Sequence, residues 1–422
     1  MSTAFTPVRT SERIHIMDAL RGIAILGIFI ANLGAGFSFY DSSLNNVGPY
    51  FHRLDHTFHF WEHVFIEGKF YSIFSLLFGW GMEIQLKRSE INGLTPVKFM
   101  RRRLGFMFLL GLAHLLLLWT GDIVAFYALV GFVFLWIRKW NDRKLFITAI
   151  VMLCLPVLIY FLRMKWNVLL APAGLLYGTG TKIDSYLTGS KSFDEFLINL
   201  KTGNYLFQLK SLVAGVFYRF GDLIFQSRPL KVLGMFILGY LLGRNDRYKT
   251  ILANKQLLWM VAGGGLLIGL PANYHLSKLM ETGLYYQLKI EGVYQSIAYA
   301  LGVAPLALAY VALFFLFAQT TFGKKVVSIL QPVGKMAFTN YISHSVIGTI
   351  VFYGAGFGLV REVGPVYYTA FALLVFIGQI ILSTLWLKYF NYGPIEWLWR
   401  SATYKKWQTF KKKSQTTNID NE

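Results

Sequence analysis

From the first residues onward the chain alternates long apolar runs with short polar breaks. A membrane-crossing helix needs about 20 apolar residues. Ten runs approach that length: 17–38, 59–83, 103–119, 121–138, 145–162, 229–243, 257–273, 294–318, 336–357 and 366–388. The pattern predicts an all-α, polytopic integral membrane protein with about ten transmembrane helices. The run at 229–243 is short and spans only if Lys231 and Arg244 stretch their stems to the interfaces. Residues 163–228 resist the pattern, mixing both charge signs with half-apolar stretches such as "YLFQLKSLVAGVFYRFGDLIF". Interfacial or peripheral helices are expected there rather than another span. The chain then divides into a five-helix bundle (1–162), an excursion (163–228), a second five-helix bundle (229–390) and a basic, aromatic tail (391–422).

Composition narrows the class further. Hydrophobic residues make up 55% of the chain and charged residues 15%, where a soluble domain carries about 25% charge. A soluble globular class is excluded. The net charge of +20 raises nucleic acid as a partner, but its placement argues otherwise. Lys87, Arg88, Lys98, Arg101, Arg102 and Arg103 fall between spans on one side, as do the basic residues at 138–144, 244–249, 324–325 and 405–413. The rule that basic loops stay inside puts that side, and both termini, in the cytoplasm. There the charge faces anionic headgroups or phosphorylated substrates, and no nucleic acid is needed. The first run follows Arg9 and Arg13 but is too long for a signal-peptide core, so it reads as a retained helix. Cys154 is the single cysteine, which rules out an intrachain disulfide or a thiolate cluster.

Polar residues inside the runs carry the candidate chemistry, because an ionisable group there costs about 2.5–3.5 kcal/mol on insertion scales. In "DALRGIAILGIFIAN", Asp18 and Arg21 sit at the cytoplasmic mouth, while Asn32 lies about 20 Å along the helix. Polar groups at both ends of an apolar wall suggest a passage or two-sided site, with Arg21 alternatively a snorkelling anchor paired to Asp18. In "RRRLGFMFLLGLAHLLLLWTGDIVAFYALVG", His114 lies about 8 Å below the outer surface, and Asp122 opens the next helix. A carboxylate beside an imidazole suits a general base; Asp122 could instead simply cap its helix. His52, His56, His59 and His63, spaced four, three and four, would share a helical face that Glu67 continues. They read as a wet interface, as acceptor-binding or catalytic groups, or as a zinc site; no metal centre is expected. In "GKMAFTNYISHSVIG", Thr339, Asn340, Tyr341 and Ser345 suit helix joining, while His344 could line a cavity.

Together the blocks "IMDALRGIAILGIFIAN", "FIEGKFYSIFSLLFGWG", the "RRRLGFMFLLGLAH" hairpin, "GKMAFTNYISHSVIGTIVFYGAG" and "YGPIEWLWRSATYKKW" resemble the YeiB-like family of bacterial multi-pass membrane proteins. That family is distantly similar to transmembrane acyltransferases such as heparan-α-glucosaminide N-acetyltransferase. The resemblance implies a bacterial plasma-membrane protein that moves an acyl group from cytosolic acyl-CoA to an extracytoplasmic glycan, lipid or small molecule. No permanently bound cofactor is implied. In the wider group a histidine of the first outer loop is catalytic, and His52, His56 or His59 could be its counterpart. Where YeiB-like proteins are expected to hold glutamine, this chain has His344. His114 with Asp122, Glu67, His56 and His59 are therefore the catalytic candidates. Asp18, Arg21, Asn32, His63, Arg101, Arg102, Arg103, Asn340 and His344 are the substrate-binding ones. A proton-coupled transporter using Asp18, Glu67 and His114, or a non-catalytic envelope-assembly partner, are the rival classes. A homo-oligomer is compatible with all three.

Overall fold

The computed structural model describes residues 14–42, 48–91, 93–166 and 170–412. Arg9, Arg13 and Lys413 lie outside them. Among the described residues every regular element is a helix, apart from one bridge between Phe390 and Lys411 that turns the tail back onto the last long helix. Five helices are long and apolar enough to cross a membrane: His15–Ser38, Asp142–Lys165, Lys255–Glu281, Ile290–Ala318 and Pro365–Tyr389. Together they mark a helical membrane protein.

Every apolar run has its helix, with one break. Helices α1 (His15–Asn32), α4 (Pro96–Leu117), α5 (Val124–Ile137) and α6 (Asp142–Lys165) occupy the expected places in the first half. In the second half these are α10 (Arg228–Gly243), α12 (Lys255–Glu281), α13 (Ile290–Ala318), α15 (Ala337–Phe352) and α16 (Pro365–Tyr389). The expected span at 59–83 is instead two helices, α2 (Asp55–Phe65) and α3 (Lys69–Ile91). Gly68 turns the chain at φ +85°, a conformation costly for any residue with a Cβ. Lys69 then folds its ammonium back to donate to the carbonyls of His63 (2.5 Å) and Glu67 (2.8 Å), satisfying acceptors that the broken helix leaves open. Its side chain is wholly buried.

The first half docks onto the second through backbone contact between α3 and α10. A Cβ on Gly79 would fall 1.9 Å from the Phe236 carbonyl, and one on Gly239 would fall 1.8 Å from that of Leu76. Only glycine allows this approach, the packing that spaced small residues provide between membrane helices. Around it a buried cluster gathers Leu104, Tyr127, Phe134, Phe236 and Tyr240. A second cluster joins α1, α3, α12 and α13 through Leu20, Leu77, Trp80, Leu258 and Phe315.

The excursion forms α7 (Ala171–Thr188), α8 (Phe193–Thr202) and α9 (Tyr205–Phe225). Helix α9 packs along α7 and lies over the α4–α5 turn, where Gln208 donates to the Leu118 carbonyl (2.9 Å) and Arg219 to that of Asp122 (3.0 Å). At the opposite end of the bundle, the amphipathic α14 (Thr321–Lys335) packs on α1, and α17 (Pro394–Tyr404) packs on α4 and α15. That end, which holds the start of α1 and the arginine run, is the basic end; the α4–α5 turn marks the far end.

Candidate functional site: two chambers with a common wall

Two cavities enter the bundle from its two ends. The basic-end chamber, about 240 Å³, is lined at its mouth by Asp18, Arg21, Arg103, Lys335 and Arg400 and deeper in by Ile25, Phe74 and Phe78. The far chamber, about 750 Å³, is lined by Asn32, Glu67, Tyr71, Arg219 and Arg228 among others. Ile28, Ile123 and Tyr341 belong to both linings. One layer of side chains therefore separates the chambers.

The mouth of the basic-end chamber is built from three directions. Asp18 and Arg21, one turn apart on α1, form an ion pair at 2.9 Å. Arg103 reaches in from α4 and lies over the Trp399 ring, 3.6 Å from its centroid, a cation–π contact. Trp399 in turn donates its indole N–H to the Arg103 carbonyl (3.0 Å). Of the arginine run, Arg103 alone lines the chamber; Arg101 is exposed and Arg102 half-buried outside it. On α17, Glu396 accepts from the Phe338 N–H (2.6 Å), the Thr339 N–H (3.0 Å) and the Thr339 hydroxyl (2.6 Å), capping α15. Burial pushes the Glu396 carboxyl above its ordinary range, and those hydrogen bonds pull the other way.

On the far side, the break between α2 and α3 turns Glu67 into the chamber wall, with His63 Nδ1 bonded to its carboxylate. Asn32 lies one turn beyond Ile28. The histidine ladder stops short of the single face expected. His52 precedes the helix, and its N–H donates to Asp55 (2.7 Å). His56 is exposed at 3.5 Å from Glu281, and His59 packs edge-on against His63, 4.4 Å between centroids. Among the described residues no group of three or more His, Cys, Asp or Glu side chains could hold a metal ion.

His114 and Asp122 meet, with Nδ1 and Oδ2 at 2.8 Å, and the second ring nitrogen lies 2.8 Å from the Ser345 hydroxyl. Asp122 also caps α5 through Ala125 N–H (2.7 Å), so the pairing and capping readings hold together. All three side chains are buried, and none lines either chamber. Both imidazole nitrogens are thus engaged behind the wall, where the acceptor-facing base expected from the sequence would need a free one. Asn340 joins helices, donating to the Val333 carbonyl and Ser383 at 3.1 Å. His344 stacks on Phe29 (3.9 Å) with Nε2 3.0 Å from Gln379, again outside both chambers.

Sequence reasoning passed over Tyr341 as part of the wall, and Arg219 and Arg228 as lining of the far chamber. The spacing of Arg219, Asp222 and Arg228 in a half-apolar stretch was the available signal, obscured because such stretches usually lie in an interface.

A family of proteins of unknown function, DUF418, matches residues 242–406, which include Tyr341, Glu396, Trp399 and Arg400. The uncharacterized protein YxaH of Bacillus subtilis (strain 168) is 31% identical over 98% of this chain and 100% of its own length. The uncharacterized protein YeiB of Escherichia coli (strain K12) is 28% identical over 93% of this chain and 97% of its own. No solved structure gives a significant match. Similarity of this depth along nearly the whole chain means that it belongs to the YeiB-like family of helical membrane proteins.

Proposed function

We propose that the protein is a ten-span plasma-membrane acyltransferase, with the basic end and both termini in the cytoplasm, that moves an acyl group from cytosolic acyl-CoA to an extracytoplasmic acceptor. The shared wall of Ile28, Ile123 and Tyr341 carries this reading, because it brings a basic-mouthed pocket within one side-chain layer of a chamber that holds Glu67 and Asn32. The CoA phosphates would rest on Arg21, Arg103, Lys335 and Arg400, since guanidinium groups pair with phosphate through charge-assisted hydrogen bonds. The thioester would pass between Ile25, Phe74 and Phe78 to the wall. An acceptor hydroxyl or amine in the far chamber would lose its proton to Glu67, held by His63, and attack the thioester carbonyl. Asn32, whose side-chain amide has no hydrogen bond among the described residues, would donate that amide N–H to the developing oxyanion. The carbon–sulfur bond breaks, the thiolate takes a proton from cytoplasmic water, and Glu67 gives the acceptor's proton up to water in the far chamber. His114, Asp122 and Ser345 support the wall from behind.

Mass spectrometry of lipids, glycans and envelope polymers from a deletion strain should find an acyl mass missing, restored by the wild-type gene and not by Glu67→Gln. Purified protein should release CoA only when acceptor is present. An unchanged acyl profile together with no CoA release would reject the reading. The same two chambers suit a proton-coupled transporter, for which purified protein in vesicles would move protons with substrate and release no CoA. Orientation has its own test: in a Cys154→Ser background, Tyr186→Cys should label from outside and a C-terminal tag should report the cytoplasm.

A further inference from the structure

Charge in the far chamber is unevenly neutralised. Its acids each have a local partner: Glu67 has His63, Asp222 accepts from the Tyr177 hydroxyl (2.6 Å), and Asp184 accepts from Thr188 (3.0 Å). Its two arginines have no carboxylate within ion-pairing distance. Arg219 donates Nε–H and Nη2–H to the neutral carbonyls of Gly121 (3.4 Å) and Asp122 (3.0 and 3.1 Å), which leaves Nη1 for a ligand. Arg228 donates Nε–H to the Gln226 side-chain oxygen at 2.7 Å. Among the described residues neither guanidinium forms an ion pair, and the terminal amino groups of Arg228 have no hydrogen-bond partner. Both residues are largely covered by protein. The carboxylates of Glu67 and Asp222 act on Arg228 through space and its guanidinium lies 5.7 Å from the Tyr71 ring centroid, which offsets its burial, but its terminal amino groups still lack acceptors in contact.

The rest of the lining says what else the occupant carries. Trp119, Tyr71, Tyr218 and Tyr286 offer flat apolar faces with polar edges, while Gln208 and Ser211 add hydrogen-bonding groups. A chamber of about 750 Å³ is far larger than a lone anion and falls within the range of organic ligand pockets. We propose that the far chamber binds a phosphate-bearing polyol, with its phosphate between Arg219 and Arg228 and its hydroxyls toward Tyr71 and Glu67. Two guanidinium forks from different helices match the several oxygens of a phosphate better than a single carboxylate. That this ligand is also the acyl acceptor rests on the transfer reading above; the binding itself does not. The polyol phosphate is either the headgroup of an anionic lipid or a water-soluble molecule.

The test is titration of the full-length protein, in phosphatidylcholine nanodiscs, with sn-glycerol 3-phosphate and with glycerol. Glycerol 3-phosphate should bind and glycerol should not. Arg228→Gln should weaken binding by about tenfold or more, Arg228→Lys should recover part of it, and Lys210→Gln, an exposed charge change on α9, should leave it intact. Arg228→Lys guards against a folding defect in the glutamine variant. Equal binding of glycerol, or an Arg228→Gln affinity within about twofold of wild type, overturns the proposal. Phosphatidylglycerol in the nanodisc should displace the probe if a lipid headgroup is the natural ligand; retained binding there assigns the site to a soluble polyol phosphate. Binding without acyl transfer would sink the transferase and leave this site, whereas transfer to a neutral acceptor with no phosphate binding would do the reverse.

Discussion

Removing His114 tests whether the buried chain of Ser345, His114 and Asp122 is a pin or a catalyst. The chain ties α15, α4 and α5 together by two hydrogen bonds of 2.8 Å, and its three side chains are sealed from both chambers. His114→Ala takes the partner from a buried carboxylate, and breaking one side of such a pair costs about 3–5 kcal/mol. Asp122 keeps the Ala125 N–H, worth about 1 kcal/mol as a helix cap, so the lower part of that range is expected. Ser345→Ala removes only a neutral hydroxyl and leaves one imidazole nitrogen unsatisfied, about 1–3 kcal/mol. Because the two residues share one network, the double variant should fall short of the sum by about 0.5–3 kcal/mol. Unfolding in nanodiscs, followed by intrinsic tryptophan fluorescence alongside acyl transfer, measures both quantities. As a pin, His114→Ala loses stability, and activity falls only with the folded fraction. Stability within about 0.5 kcal/mol of wild type, combined with a rate loss of about 10²–10⁴, would refute the pin and make His114 the base.

Other expectations follow from the same geometry. Arg103→Gln should raise the apparent KM for acyl-CoA several-fold while Arg101→Gln leaves it unchanged, because Arg103 lines the chamber and Arg101 does not; steady-state kinetics at fixed acceptor decides this. Gly239→Ala should destabilise the protein by about 1–3 kcal/mol, since the new methyl meets a backbone carbonyl rather than a side chain that can move; a thermal midpoint equal to wild type would contradict the close crossing of α3 and α10. Glu396 sets a pH dependence. Its folded pKa is raised, so the folded state binds more protons than the unfolded one just above the ordinary glutamate range. Stability is therefore lost as pH rises from that range through the raised value. Glu396→Gln should flatten the stability–pH curve there, and a slope unchanged by the substitution would show that Glu396 is not its source.

Apolar periodicity disclosed the helices but not the way they are interrupted. A hydrophobic window averages over Ile66-Glu67-Gly68 and sees one span at 59–83. The break depends on a glycine at positive φ and on a lysine returning to cover carbonyls, and neither registers in hydropathy. Asp18 with Arg21, and His114 with Asp122, were legible because their partners are close along the chain. Ser345 stands 231 positions from His114, and only the folded bundle brings them together. Arg103 could not be separated from Arg101 and Arg102, since the distinction is the angle at which α4 meets Trp399.

The thinness of the wall between the chambers has an electrical consequence. With water in both chambers, the membrane potential drops not over the full bilayer but across the layer of Ile28, Ile123 and Tyr341. Moving one elementary charge through that layer is worth about 2.3 kcal/mol for each 100 mV. In the proposed transfer, the thiolate is protonated from the cytoplasm and the acceptor's proton is left on the far side, so each acyl group carried outward also moves one positive charge across the layer. A proton or ion taking the same path would move the same charge, so charge movement matched one to one by CoA release belongs to group transfer, and charge movement without CoA release belongs to transport.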